Sequence, residues 1–311
     1  MVIRSCACPA SHRNTPPSTC QTHAQAEILS LLRILRDPIF FKERTTLARQ
    51  NYTARLEKKI CLSESAQCYH FEFVVDELES FPLISGQFVS LMATDPNGKL
   101  QTRAYSLAAA ANANRFELCI NRVEGGFFSN FLADLPIGQT VQMHGPHGHF
   151  VLNTPVTDSF LISTGTGIAP MRAMTQWLFP ENGPDRSEGK NIWVIYGTRY
   201  PSELYYHDYF TALAEKHANF HYITTVSRAG EEYTGNRGYV QKYASQVVEE
   251  RAAKLGIKLP LTPPGDDVPA KDLQFDIYAY ICGLNNMVSS VRDALTGYGW
   301  HKKQIIFERY D

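Results

Sequence analysis

Ser159-Phe160-Leu161-Ile162-Ser163 runs directly into Thr164-Gly165-Thr166-Gly167-Ile168-Ala169-Pro170. The uncharged run reads as a buried strand, the two glycines permit a tight turn, and Pro170 suits the first turn of a helix, where its missing N–H has no partner. Strand, glycine loop and helix in that order are the setting a nucleotide-binding loop needs. The loop is not G-x-G-x-x-G, so it is not the common dinucleotide fingerprint. Its bland reading is a simple strand-to-helix turn, and the elements on both sides weigh against that.

Downstream the same rhythm repeats. Strands are expected over 191–196, 220–226, 277–282 and 304–307, and helices over 170–179, 207–217, 240–255 and 286–298. Such βαβ alternation builds a doubly wound parallel sheet. Residues 257–274, rich in Pro and Asp, read as an insertion or long loop. Upstream, from Tyr52, short alternating runs over 69–75, 88–92, 103–107, 116–123 and 140–144 are separated by turn residues such as Asp95-Pro96-Asn97-Gly98 and Gly145-Pro146-His147-Gly148. That spacing predicts an antiparallel barrel, interrupted by one helix over 129–135. The resulting division is an extension over 1–48, a barrel over 49–154 and a nucleotide-binding half over 155–311.

The extension has a different character. Its first 26 residues hold no acid, and their Arg, Ser/Thr and Pro content suits a transit peptide, a disordered tail or a start assigned too far upstream. A short amphipathic helix is expected over 24–35. Over all 311 residues, 44% are hydrophobic, 20% are charged and the net charge is −1, which gives no global case for binding nucleic acid or a membrane surface. The longest apolar run, 28–35, is broken by Arg33 and too short to span a bilayer. Seven cysteines without a C-x-x-C pair or the C-x₄-C-x₂-C spacing read as reduced thiols of a cytoplasmic protein. Cys6, Cys8 and Cys20 with His12 and His23 are the nearest approach to a ligand set, and no metal is expected.

Two further stretches carry chemistry. In Arg103-Ala104-Tyr105-Ser106, period-two alternation puts Arg103 and Tyr105 on one strand face. A guanidinium fork suits phosphate, a flat ring suits an isoalloxazine, and a hydroxyl can bond its reactive nitrogen. In Gly125-Gly126-Phe127-Phe128-Ser129, glycines and an N-capping serine open a helix, forming an anion site that fits a pyrophosphate and points to FAD rather than FMN. Alone, the first is also compatible with an exposed strand and the second with a capped helix.

Together the motifs resemble the ferredoxin–NADP⁺ reductase family over about five-sixths of the chain. Arg103-Ala104-Tyr105-Ser106 is similar to its R-x-Y-S flavin motif, and Leu118-Cys119-Ile120 to the strand lining the isoalloxazine. Gly126-Phe127-Phe128-Ser129-Asn130-Phe131-Leu132 is similar to its pyrophosphate loop, Gly165 through Pro170 to its G-T-G-I-A-P turn, Cys282-Gly283-Leu284 with Met287 to its C-G-L-x-x-M, and Glu308-Arg309-Tyr310 to its C-terminal E-x-Y. The resemblance implies a six-stranded FAD-binding barrel followed by an NADP-binding α/β domain. It implies Thr166 and Gly167 at the nucleotide, Ser106, Cys282 and Glu308 around the reacting atoms, and Tyr310 over the flavin face. Arg199, Ser227-Arg228, Arg237 and Tyr239 fall near the ends of nucleotide-half strands. A dianionic 2′-phosphate selects Arg, and Ser227-Arg228 resembles the family's NADP-reading pair, so NADP is expected over NAD. Asp311 follows the terminal tyrosine of the plant enzymes, and Asn121 stands where they carry a lysine.

The implied activity is electron exchange between NADPH and a ferredoxin or flavodoxin through FAD, by a monomer or weak dimer. The reductase component of an oxygenase is the alternative within enzymes. A non-catalytic flavin- or nucleotide-binding subunit is the alternative outside them, and the presence of Ser106, Cys282 and Glu308 argues against it.

Overall fold

Alternation of period two builds the first half of the computed structural model, which describes residues 50–262, 265, 267 and 277–310. The expectations for the extension, its helix, its cysteines and Asp311 lie outside these residues. Six antiparallel strands are formed: β1 (Asn51–Ser63), β2 (Cys68–Val75), β3 (Phe88–Thr94), β4 (Leu100–Ser106), β5 (Arg115–Asn121) and β6 (Thr140–His147), in spatial order β4-β3-β6-β1-β2-β5. Phe116, Leu118 and Ile120 of β5 turn inward to join Phe71, Phe73, Leu91 and Met143. The sheet closes on itself where Leu107 bridges Leu118 and the Ala108 N–H donates to the Glu117 carbonyl at 2.8 Å.

One helix, α1 (Phe127–Asp134), packs Phe128 and Leu132 on that core. It starts two residues before the expected position, with Gly126 as N-cap. Gly125, at φ +70°, already turns the chain into the helix, so Ser129 falls inside the first turn. Its Oγ instead accepts from the Val123 N–H at 3.0 Å and holds the turn closed.

The second half is β7 (Asp158–Thr164), α2 (Ile168–Leu178), β8 (Ile192–Thr198), α3 (His207–Lys216), β9 (Phe220–Val226), α4 (Val240–Leu255), β10 (Ile277–Leu284), α5 (Asn285–Gly297) and β11 (Ile305–Tyr310). All its strand pairs are parallel, in order β11-β10-β7-β8-β9. Helices α2 and α3 bury Met171, Met174, Leu178 and Phe210 on one face, while α4 and α5 bury Val247, Val248, Val291 and Leu295 on the other. This is the doubly wound sheet read from the sequence. Every residue of β8 is buried, as a strand covered on both faces must be. Barrel residues Cys68, Ala108, Cys119 and Phe150 share a core cluster with Leu161 and Met171, and both halves from Gln50 onward belong to one compact unit.

Strand order reverses between β7 and β10, the topological switch point at which open α/β sheets bind ligands. There the turn after β7 lies so close to β10 that a Cβ on Gly167 would sit 2.2 Å from the Cys282 carbonyl oxygen. Gly167→Ala must therefore push two backbones apart. Overpacking of this kind costs about 1–3 kcal/mol, so a lowered denaturant midpoint together with weakened nucleotide binding is expected. An unchanged midpoint would show that the two segments can separate freely.

Candidate active site

Two cavities open side by side at the carboxyl ends of the parallel strands. One, of about 600 Å³, lies between the barrel mouth and β11. The other, of about 590 Å³, crosses the ends of β7, β8, β9 and β10. Asn121, Thr166 and Tyr310 line both, so the cavities meet.

The barrel-side cavity gathers the flavin motif. Tyr105 and Ser106 come from β4, Cys119 and Ile120 from β5, and Gly126-Phe127-Phe128-Ser129 from the start of α1. The Tyr105 ring lies 6.1 Å from that of Phe128, and burial pushes its hydroxyl up to about 12 against the opposing Arg103 charge. Arg103 is exposed, its guanidinium bonds the Thr102 carbonyl at 2.8 Å, and no acidic side chain among the described residues pairs with it. That leaves charge for a phosphate. The donor set, an aromatic wall, a hydroxyl, an uncommitted guanidinium and a helix N-terminus behind a glycine turn, fits FAD.

At the junction three of the four candidate reacting residues form one hydrogen-bonded chain, and the fourth, Cys282, lies beside Glu308 in the strand register. The Ser106 hydroxyl donates to Glu308 Oε2 at 3.2 Å, and the Tyr310 hydroxyl donates to Ser106 Oγ at 3.4 Å. The Cys282 thiol is fully buried and lines neither cavity. Burial pushes the thiol well above its ordinary value, the Glu308 carboxylate adds to this, and the Tyr310 hydroxyl opposes it. Cys282 is thus a neutral thiol. Burial also raises Glu308, and the Ser106 hydroxyl works against it. β10 and β11 bring these groups together because their register pairs Cys282 with Glu308 and Leu284 with Tyr310.

The second cavity takes Thr166 from the glycine turn, Arg199, Ser227 and Tyr239 from beyond β8 and β9, and Leu284 and Met287 from the β10–α5 junction. Thr164 Oγ1, buried at its floor, has no hydrogen-bond partner among the described residues, which fits a polar nucleotide group. Tyr239 is 66% exposed, an open ring at the cavity edge. Gly167 and Gly283 lie behind the lining, where a Cβ on Gly283 would meet Thr164 Oγ1 at 2.4 Å. Arg228 is exposed beside Ser227, outside the lining, and its backbone N–H donates to the Arg199 carbonyl at 2.8 Å. Arg237 stands apart. Its guanidinium donates to the carbonyls of Ala229, Gly230, Glu231 and Tyr233 at 3.1, 2.6, 3.3 and 2.8 Å, which holds the loop between β9 and α4 in shape.

Several lining residues escaped the sequence reading, among them Phe88, Glu203, Tyr205 and Gln241. Glu203 accepts from the Arg199 backbone N–H at 3.1 Å and so shapes the β8 loop. No motif marked it. Asn121 could have been found, because it lies two residues beyond Cys119 on the same strand face.

The family pattern described as oxidoreductase FAD-binding domain matches residues 53–152, and the oxidoreductase NAD-binding domain matches 161–293. With the paired cavities they define an oxidoreductase with an FAD-binding and a nicotinamide-nucleotide-binding domain. Ferredoxin–NADP reductase B of Sorangium cellulosum is 34% identical over 236 residues, covering 75% of this chain and 87% of that protein. The chain therefore belongs to the ferredoxin–NADP reductase family. It is also 25% identical to the toluate 1,2-dioxygenase electron transfer component of Pseudomonas putida, covering 94% of this chain and 75% of that protein. Among solved structures, a ferredoxin NADP⁺ reductase from Neisseria gonorrhoeae with bound FAD and NADP shares the fold at TM-score 0.62 and 21% identity, over 83% of this chain and 98% of that one. Among the described residues no helix is long and apolar enough to cross a membrane, and no cluster of three or more His, Cys, Asp or Glu could hold a metal ion.

The raised Glu308 gives a signed prediction. Its ordinary value is 4.5, and a carboxyl raised on folding favours the native state below that pH and loses this contribution as pH rises through the higher folded value. Glu308→Gln keeps an acceptor for Ser106 and abolishes the charge. The variant's melting temperature should exceed that of the wild type at pH 8, and the difference should shrink towards pH 4. A pH-independent difference would show that Glu308 is not destabilised as a carboxylate.

Proposed function

We propose that the chain carries electrons between NADPH and a one-electron carrier, a ferredoxin or flavodoxin, as a cytoplasmic monomer or weak dimer. The observation that supports this most directly is the junction, where Asn121, Thr166 and Tyr310 line both cavities and the Tyr310 hydroxyl donates to Ser106. Bound FAD would supply the conversion between two-electron and one-electron transfer. The chain's own groups bind, cover and orient. Arg103 and the α1 N-terminus would hold phosphates, and Ser106 presents a hydroxyl at the ring position. Tyr310 covers the junction and keeps water from Cys282 until a nicotinamide takes its place. Glu308, raised above the ordinary carboxyl range by burial, accepts the Ser106 hydroxyl at Oε2 and stands where a proton could be exchanged.

The reductase component of an oxygenase is a second reading, favoured by the similarity to the toluate dioxygenase component over 94% of this chain. It shares every step up to the acceptor. Turnover with purified ferredoxin, flavodoxin and an oxygenase component, compared side by side, separates the two readings.

The purified protein should be yellow, release FAD in a one-to-one ratio on denaturation, and be bleached by NADPH in a stopped-flow instrument. Release of FMN would overturn the pyrophosphate role of Gly126-Phe127-Phe128-Ser129, and a flavin that NADPH does not bleach would overturn the reading as a whole. For nucleotide choice, the exposed Arg199 and Arg228 flank Ser227. Arg228→Ala should raise KM for NADPH far more than for NADH, since losing a charge-assisted contact costs about 1.5–3 kcal/mol, roughly ten- to a hundredfold. Equal losses with both nucleotides would remove Arg228 from phosphate recognition.

A further inference from the structure

Residues that face out of the barrel on β2 and β5 form a compact polar patch. Cys68, His70 and Glu72 alternate with the inward Phe71 and Phe73, and Glu117, Cys119 and Asn121 alternate with the inward Leu118 and Ile120. The antiparallel register sets Cys68 opposite Asn121, His70 opposite Cys119 and Glu72 opposite Glu117. Directly opposite residues share a face of the sheet, so the six make a two-by-three array.

The nucleotide half sets three side chains on this array. Arg172 of α2 donates from Nη1 to Glu117 Oε2 and to the Ala108 carbonyl, both at 2.6 Å. Its guanidinium lies 4.7 Å from the ring centre of Tyr206 and 5.5 Å from that of Tyr209. The Tyr206 hydroxyl meets His70 Nδ1 at 2.9 Å, and the Tyr205 hydroxyl donates to Asn121 Oδ1 at 3.3 Å. His70 Nε2 lies 3.5 Å from both Glu72 and Glu117. The Arg172 side chain is only 15% exposed and that of His70 5%.

This contact joins the two cavities by rigid elements. Arg172 is three residues beyond Ala169, on the same face of α2, and Ala169 lines the flavin cavity. Glu117 is two residues before Cys119, which lines that cavity too, and four before Asn121, which lines both. A shift of α2 against β5 would therefore move the nucleotide-side turn, Thr166 included, relative to the flavin wall. A buried ion pair adds little net stability because desolvation offsets its attraction, but breaking it leaves an uncompensated charge, so it restricts geometry more than it stabilises. The planar guanidinium bonds a carboxylate and a carbonyl while stacking on two tyrosines, and a lysine cannot meet all four.

We infer that Arg172 and Glu117 are positioning residues that fix the angle between the barrel and the nucleotide half, and thereby the approach of nicotinamide to flavin. The inference rests on the electron-transfer reading above. Misplacement of about 1 Å between reacting groups can cost on the order of a hundredfold in rate. Neither side chain lines either cavity, so the loss should appear in the rate at saturation and not in binding.

The test uses the FAD-loaded full chain with Arg172→Lys and Glu117→Gln. Flavin content and NADP⁺ affinity from difference spectra are expected to stay within about twofold of wild type, while flavin bleaching at saturating NADPH slows at least about tenfold. The long-wavelength charge-transfer absorbance of the nucleotide complex, which needs the two rings face to face, should fall with it. If Arg172→Lys does not fold, Glu117→Gln decides alone. Unchanged bleaching and unchanged charge-transfer absorbance in a variant that keeps its FAD would overturn the inference. So would a rate loss matched by loss of flavin, which marks a merely structural role. A wild type that NADPH does not bleach fails the electron-transfer reading instead, while a bleached wild type with indistinguishable variants fails only the positioning role.

Discussion

The approach of the Gly167 turn to the Cys282 carbonyl is the constraint on which the rest of the site depends. It is a contact between backbones, so no rotamer change can relieve it, and only glycine leaves room for it. Because β7 and β10 are adjacent and parallel at the switch point, their carboxyl ends open onto one crevice. The β10–β11 register then delivers Glu308 beside Cys282 and Tyr310 beside Leu284. From there Tyr310 and Glu308 reach Ser106, 204 and 202 positions away in sequence. A site assembled from both halves of the chain follows from one tight turn and one parallel register.

The sequence made the large elements and the candidate site motifs legible because each leaves a local trace. A polar residue alternating with apolar ones marks a strand, and glycines between a buried strand and a helix mark a turn that must approach something closely. Ser106, Cys282, Glu308 and Tyr310 were all nameable from short motifs, and the structure brings them together at one junction. What motifs could not express is how a side chain is spent. Arg237 sits in a stretch that suits phosphate binding, yet its guanidinium serves four carbonyls of its own loop. Ser129 looked like an N-cap and is a turn brace, because the helix begins two residues earlier. The polar array around Arg172 had no trace at all, since its six barrel residues come from strands that pair only in three dimensions.

The distribution of charge explains how one junction can serve two cofactors. The groups at its centre are neutral or held towards neutrality: the Cys282 thiol, the Tyr310 and Ser106 hydroxyls, the Asn121 amide and a Glu308 whose ionisation burial opposes. Arg103, Arg199 and Arg228 are all exposed; Arg103 and Arg199 line the cavities where they open to solvent, and Arg228 stands beside Ser227 outside the lining. A phosphate bound at such a rim gains a charge-assisted bond, while screening by water weakens its field at the rings. Asn121 fits this division. Its oxygen is already engaged by the Tyr205 hydroxyl, so it contributes shape and a donor to both cavities without adding a charge between them. Affinity would thereby fall to the rim and geometry to the centre, with the partly buried Arg172–Glu117 pair behind it compensating its own charge.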